Sequence, residues 1–421
     1  MARDRRRPLP ANFTRIAWSS VLTQFAEQMA LVAAPLAAVL VLGAGATETA
    51  LLQVAQTLPF LLLSIPFGVI VDRSSPKSVL LASEAMRTLT LAWTVVLILT
   101  DRLTFGALVI VGFVGAIGTL GVGVAVPSAV PQLVARDRLM DANGWLELGR
   151  SVAFISGPVV AGAIVSFAGA ETAFVVATVA CGAAVALIAR MDIARTAPAS
   201  ARNAWREVAD GLRFVLSHDL LRPMIVTSMI FNIGWFLVQS VFVVYALRDL
   251  GMTPTTVGTA MGVFGLGMVC GALAARPLSR RIPVGWMSVL GPIGGFVAAG
   301  LMLITLWLPT PVPALLSYFL FGLGPVLWTI STTSLRQAVT PSRLIGRVSS
   351  LLVVSTYGAR PIGAGLGALL AATLGVQWCI AAASVVFAAQ LAVVLASRLP
   401  AVRELPRSDE EPATPASPVA R

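Results

Sequence analysis

Between Leu250 and Arg403 this chain has not one Asp or Glu, and in all its 421 residues it has a single histidine, His218, and a single lysine, Lys77. Its three cysteines, Cys181, Cys270 and Cys379, each lie inside an apolar run with no CxxC spacing. That excludes a disulfide framework and leaves no metal-ligand pattern, so they read as small packing residues. No clustered nucleophile, base and oxyanion set, no P-loop and no metal motif can be found. The chain is therefore not expected to be an enzyme or to carry a cofactor, and pumping driven by ATP would need another subunit. His218 falls in a loop and reads as solvated.

What is present is hydrocarbon. With 57% apolar residues, 12% charged and a mean hydropathy of +0.87, there is no polar coat for a water-soluble globule. Apolar runs near 16–42, 49–71, 78–99, 105–134, 143–168, 171–190, 220–246, 255–276, 284–307, 312–339, 347–374 and 376–398 are each long enough to cross ~30 Å of hydrocarbon. They are too long for barrel strands and do not alternate, so the expectation is an all-α integral membrane protein with twelve transmembrane helices. The first run is also far longer than a signal-peptide core and reads as an uncleaved anchor.

Arginine sets the expected orientation, because short loops rich in Lys and Arg resist translocation. Of 30 basic residues, only Arg102 and Arg248 fall on outer loops, and Arg87, Arg150 and Arg360 lie within or at the ends of spans. The remainder fall on the side that holds both termini, which is expected to be the cytoplasmic side of a bacterial inner membrane. Arginine outnumbers lysine 29 to 1 amid abundant alanine, which suggests a GC-rich bacterial genome. The net charge of +11 follows from this bias and from contact with anionic lipid, with no nucleic-acid-binding module in view.

The longest internal polar stretch divides the chain. We expect an N-terminal tail at 1–15, a six-helix bundle at 16–190, a cytoplasmic linker at 191–219 with an amphipathic segment from Trp205 to Phe214, a second bundle at 220–398 and a disordered tail at 399–421. The halves repeat. At an offset of 203 residues, Gly68, Arg73 and Lys77 map to Gly271, Arg276 and Arg280, and Pro158 and Gly162 map to Pro361 and Gly365. This is the sequence mark of parallel repeats around a cavity.

These residues also carry a family likeness. Two halves of six spans, the run Gly68-x-x-x-Asp72-Arg73-x-x-x-Lys77 between spans 2 and 3, and Gly157-Pro158-x-x-x-Gly162 in span 5 resemble the major facilitator superfamily over nearly the whole chain. Phrases such as Leu58-Pro59-Phe60-Leu61-Leu62-Leu63-Ser64-Ile65-Pro66 and Thr333-Ser334-Leu335-Arg336-Gln337-Ala338-Val339-Thr340-Pro341 resemble the bacterial branch that contains macrolide and enterobactin exporters. The resemblance implies a monomer that moves an amphipathic small molecule by alternating access, as secondary active efflux with the proton as coupling ion. It also implies that Asp72 joins a charge network closing the inner gate, and that the span 5 step is that of an antiporter. An importer or lipid carrier of the same fold, or a transport-inactive sensor or scaffold, are the alternatives. One departure is that span 4 lacks the arginine carried by drug/proton antiporters, which bears on coupling and leaves the fold untouched.

The residues themselves suggest where chemistry lies. Ser75-Pro76 is a good cap and first-turn pair for span 3. Glu27 sits near the middle of span 1 with Gln24 and Gln28 beside it, and an acid at that depth is either a proton-loading group or part of a structural hydrogen-bond network. Glu84 with Arg87, and Glu147 with Arg150, have i,i+3 spacing and read as structural ion pairs. Gln53, Gln56, Asn232, Trp235, Gln239, Trp328, Thr332, Tyr357 and Arg360 are candidates for lining a substrate cavity, with interhelical hydrogen bonding as the alternative for each.

Overall fold

The structure, a computed structural model, describes residues 10–135, 138–191, 212–341 and 344–403. Every regular element among them is helical. The first four are α1 (Ala11–Leu40), α2 (Ala46–Arg73), α3 (Pro76–Leu99) and α4 (Phe105–Leu133). A long run, Leu139–Ala189, follows and is broken at Gly169, whose φ of 83° and ψ of 165° suit glycine alone. It is thus two helices, α5 (139–168) and α6 (170–189). The second half holds α7 (Leu221–Arg248), α8 (Pro254–Ser279), α9 (Val284–Ile304), α10 (Pro311–Val339), α11 (Ile345–Thr373) and α12 (Val376–Leu395). These twelve helices match the twelve expected spans to within a few residues.

Nine helical runs among the described residues, with α5 and α6 counted as one, are long and apolar enough to cross a membrane. Their outward faces are greasy. Phe167 is 87% exposed and Trp307 75%, a surface suited to lipid and costly in water. A helix at 212–217 continues the segment anticipated from Trp205 to Phe214, whose earlier part, like the tail from 404, lies outside the described residues.

Local chemistry starts the helices where the sequence suggests. The Ser75 hydroxyl accepts from the Ser78 amide at 3.1 Å with Pro76 in the first turn, and Thr104 and Thr253 cap α4 and α8 in the same way. Ser75→Ala removes the first of these bonds and is expected to cost about 1 kcal/mol, lowering the melting temperature in a fluorescence scan without changing insertion. An unchanged melting temperature would mean that lipid contacts, and not the cap, hold this helix end.

The first six helices pack together, with α1 lying along α5 and α6, and α3 on α4 and α6. The last six repeat the arrangement, with α7 on α11 and α12, and α10 on α8 and α9. Between the halves, α5 meets α8 and α2 meets α11. These two contacts are equivalent when helix n is paired with helix n+6, as parallel repeats require. The result is the expected all-α membrane fold of two pseudo-symmetric six-helix bundles.

The cores show which face is closed. Away from the termini one core joins both halves, with Val32, Leu36 and Val165 sharing it with Val241, Tyr245 and Val257. Arg248 adds a tie there by donating to the carbonyls of Gly43 at 3.2 Å and Ala44 at 2.9 Å. On the side that holds the termini the cores are separate. Phe13, Val79, Val130 and Ile188 belong to the first half alone, and Val215, Met224, Leu335 and Leu399 to the second. The halves are therefore sealed at the far side and part toward the termini.

Candidate functional site

Close helix approach makes the far-side seal. A Cβ on Gly162 would meet the backbone of Gly258, at 2.9 Å from its Cα, and one on Gly258 would meet the Pro158 carbonyl. Only glycine lets α5 and α8 come this near. Gly157 does the same for α1, with Gln28 Cβ where its own side chain would stand. The backbone stays helical through Pro158, and Gly169 is the one non-helical residue in the run. The span 5 step thus admits neighbouring backbone, and the break in the chain's path comes later.

Within the first half, α1 and α3 assemble a charge cluster. Arg87 reaches Glu84 Oε1 at 3.6 Å and Glu27 Oε2 at 3.9 Å, and donates to the Thr23 carbonyl at 3.2 Å. Thr23 Oγ1 in turn donates to Glu84 Oε1 at 2.5 Å. Gly118 on α4 makes the room, since a Cβ there would strike Arg87 Cγ. The i,i+3 pair of Glu84 and Arg87 is thus joined by Glu27, and the three charged groups form one unit with two interior carboxylates.

The three groups differ in access. Glu84 is fully buried and Arg87 nearly so, whereas the Glu27 side chain keeps 23% exposure. Glu27 opens into a cavity of about 110 Å³ lined also by Gln56, Phe60, Thr90 and Gly112. One guanidinium cannot neutralise two ionised carboxylates, and an excess charge is costly at this depth. A proton on one carboxylate, or a second cation, must balance it. Arg360 of the other half lies within electrostatic range of Glu27 and is the second cation at hand.

The second half has a larger cavity, about 450 Å³, between α7, α10 and α11. Asn232, Trp328, Thr332, Tyr357 and Arg360, all candidates from sequence, line it. The Arg360 guanidinium lies 4.1 Å from the Tyr357 ring centroid and 5.2 Å from that of Phe236, and its Nε points at Asn232 Oδ1 at 3.4 Å. Trp328 Nε1 donates to Ser228 Oγ at 3.3 Å. Arg336 and Gln390 also line this space, and sequence reasoning missed both. Between the cavities Phe60 of α2 stacks on Tyr357 of α11, centroids 5.2 Å apart and planes 8° from parallel.

Other candidates lie elsewhere. Gln24, Gln53, Trp235 and Gln239 line neither of these two cavities. Trp235 packs in an aromatic cluster with Phe264 at 4.9 Å and Tyr318 at 5.4 Å, and Gln239 accepts from the Tyr318 hydroxyl at 2.9 Å. Those two residues serve packing. Of the motif between spans 2 and 3, Lys77 stands half-buried in the first turn of α3 and Gly68 lies within α2, while the side chains of Asp72 and Arg73 lie outside the described residues. Glu147 and Arg150 form the expected exposed pair at 2.6 Å.

His218 is less solvated than its loop position suggests. It is half-buried beside Phe214, and its Nδ1 accepts from the Leu220 amide at 3.1 Å. Burial pushes its imidazole below the usual range against the opposing pull of Asp219. Cys181 and Cys379 are buried packing residues, and no group of His, Cys, Asp and Glu among the described residues is placed to hold a metal.

Comparison with known proteins agrees with this architecture. The family profile described as "Transmembrane secretion effector" matches residues 7–420. The enterobactin exporter EntS of Salmonella typhimurium strain LT2 is 24% identical over 312 residues, 72% of this chain and 73% of that protein. Among solved structures, a POT family transporter in complex with 5-aminolevulinic acid is similar with a TM-score of 0.76 at 13% identity, covering 94% of this chain and 97% of that one. A bacterial homologue of the iron transporter ferroportin in its inward-facing state has a TM-score of 0.73 at 17% identity, covering 91% and 98%. The chain is a multi-pass membrane transporter and belongs to the transmembrane secretion effector family of the major facilitator superfamily.

Proposed function

We propose that the protein is a proton-coupled exporter of amphipathic small molecules, drugs or siderophores, working by alternating access as a monomer in the bacterial inner membrane. The observation that carries this reading is the charge balance around Arg87. Two carboxylates share one guanidinium, and only Glu27 of the two opens into a cavity, so Glu27 is the group able to exchange a proton as access changes. Glu84, sealed and bonded to Thr23, holds Arg87 in place.

Direction rests on the similarity to an enterobactin exporter, and the parting of the halves toward the side that holds the termini is compatible with it. The arginine bias assigns that side to the cytoplasm. A cavity open there and sealed at the far side by Gly162 against Gly258 is the state in which an exporter would load and an importer would release. The similarity to an enterobactin exporter supports an organic substrate carried outward. Transport in proteoliposomes, with an imposed pH gradient and a panel of labelled amphipaths, tests activity, direction and coupling together.

The loop motif supplies the opposite gate. Asp72, at the end of α2, braces the closed cytoplasmic side when the far side opens. Asp72→Asn is expected to raise the inward-open population and slow transport several-fold while insertion stays normal. Maleimide labelling of a cysteine in the cytoplasmic vestibule reads the shift. Unchanged labelling with full transport would remove Asp72 from the gate.

A further inference from the structure

The 450 Å³ cavity of the second half is positively charged without compensation from its own walls. Arg336 and Arg360 both line it, and the chain from Leu250 to Arg403, which supplies most of its lining, has no acid at all. Arg336 Nε is buried with no hydrogen-bond partner, while Arg360 makes a long 3.4 Å contact to Asn232, bonds to Tyr357 and rests its charge on the Tyr357 and Phe236 rings. Gln390, 3% exposed on the same wall, also leaves its Oε1 unpartnered.

Buried donors without partners are costly, and a guanidinium fork matches the oxygens of a carboxylate, sulfonate or phosphate. The flat rings of Trp328 and Tyr357 supply apolar walls beside the charges. A cationic drug would face two like charges here. An acyl chain would make poor use of two flat rings.

Building on the exporter reading, we propose that this half-cavity binds the anionic head of a soluble aromatic amphipath, with Arg360 and Arg336 holding the anion and Trp328 and Tyr357 flanking the ring. The substrate class is thereby an organic anion. Arg360 also attracts Glu27 across the halves, so a proton on Glu27 and an anion on Arg360 each discharge the same attraction. Either cargo alone can then free the halves to move, which is the requirement for exchange.

The test is equilibrium binding to the full-length protein in phosphatidylcholine nanodiscs without any gradient. The probes are three ligands of one shape, 2-naphthoate, 2-naphthamide and 2-naphthylmethylammonium. Naphthoate should bind at least about tenfold more tightly than the amide, with the ammonium weakest. Arg360→Gln and Arg336→Gln should each lower naphthoate affinity roughly tenfold or more and leave naphthamide unchanged. Comparable affinity of the amide or the ammonium for the wild-type protein would overturn the proposal, and that comparison needs no variant to fold. So would folded variants that retain naphthoate affinity. Displacement of naphthoate by added phosphatidylglycerol would also overturn it, giving the site to a lipid headgroup. Because no gradient is applied, protein that binds naphthoate without proton-driven flux would count against the exporter reading and not against this site.

Discussion

Replacing Glu27 by Gln is expected to abolish uphill accumulation of substrate in proteoliposomes while downhill exchange survives. Gln keeps the size and the hydrogen bonding of the side chain but cannot ionise, so charge is separated from packing. In the variant Arg87 is balanced by Glu84 alone, and the cavity-facing carboxylate that can load and release a proton is gone. Accumulation against a gradient should fall at least about tenfold, to the equilibrium level, and the dependence of transport on pH should flatten. The groups facing Glu27 are Arg87 and Glu84 on α3 and Arg360 on α11, with Cys181 behind Glu84. Only Glu27 among the carboxylates opens into the cavity. Glu27→Gln protein that still concentrates substrate with an unshifted pH profile would move the coupling role to Glu84, or to an ion other than the proton.

The second large effect is expected at Gly258. A methyl group there would collide with the Pro158 carbonyl and with Gly162 N, which lies 3.1 Å from the added carbon. These are backbone atoms in the middle of α5, so the helices must separate. Overpacking of this kind costs about 1–3 kcal/mol, which shifts the ratio of far-side-closed to far-side-open protein by roughly 5- to 150-fold. Gly258→Ala should therefore slow transport, and Gly258→Leu should nearly stop it. Val165 lies buried in the core that seals the far side. A cysteine at that position, in a background lacking the native cysteines, should label faster with an impermeant maleimide when Gly258 is replaced. Equal labelling rates and normal transport would mean that α5 and α8 do not part during the cycle.

Much of this was legible in the sequence because membrane spans obey a simple rule. Hydrocarbon leaves no partner for backbone groups except within a helix, so each apolar run near twenty residues had to become one. The break between spans 5 and 6 was legible only as a boundary. That it is a single residue, Gly169, depends on a backbone conformation that composition does not reveal. The family likeness was readable because Gly68, Asp72, Arg73 and Lys77, with Gly157, Pro158 and Gly162, stand at fixed spacings.

The sites were harder to read because their geometry is set by contacts between helices. Spacing along α3 links Glu84 to Arg87, but the rotation of α1 that brings Glu27 to 3.9 Å from Arg87 is a tertiary fact. Trp235 and Gln239 share a helical face with Asn232, yet Phe264 and Tyr318 from neighbouring helices cover them and leave Asn232 alone on the cavity. Arg336 lies in the phrase Thr333 to Pro341 that carries the family likeness, and only the placement of α10 beside α7 and α11 turns it to the cavity. The internal repeat hid one signal as well. At the offset of 203 that aligns Pro158 with Pro361, Gly157 aligns with Arg360. Where one half has close helix approach, the other has a half-buried guanidinium facing a cavity.

The most direct measurement of the central claim is substrate flux in proteoliposomes of uniform orientation, energised by a pH gradient that is acid on the side away from the termini. If the protein is a proton-coupled exporter, an amphipathic substrate moves uphill toward the acid side, and a protonophore collapses that movement at once. Substrate flux indifferent to the gradient and to the protonophore, or directed toward the side that holds the termini, would contradict it.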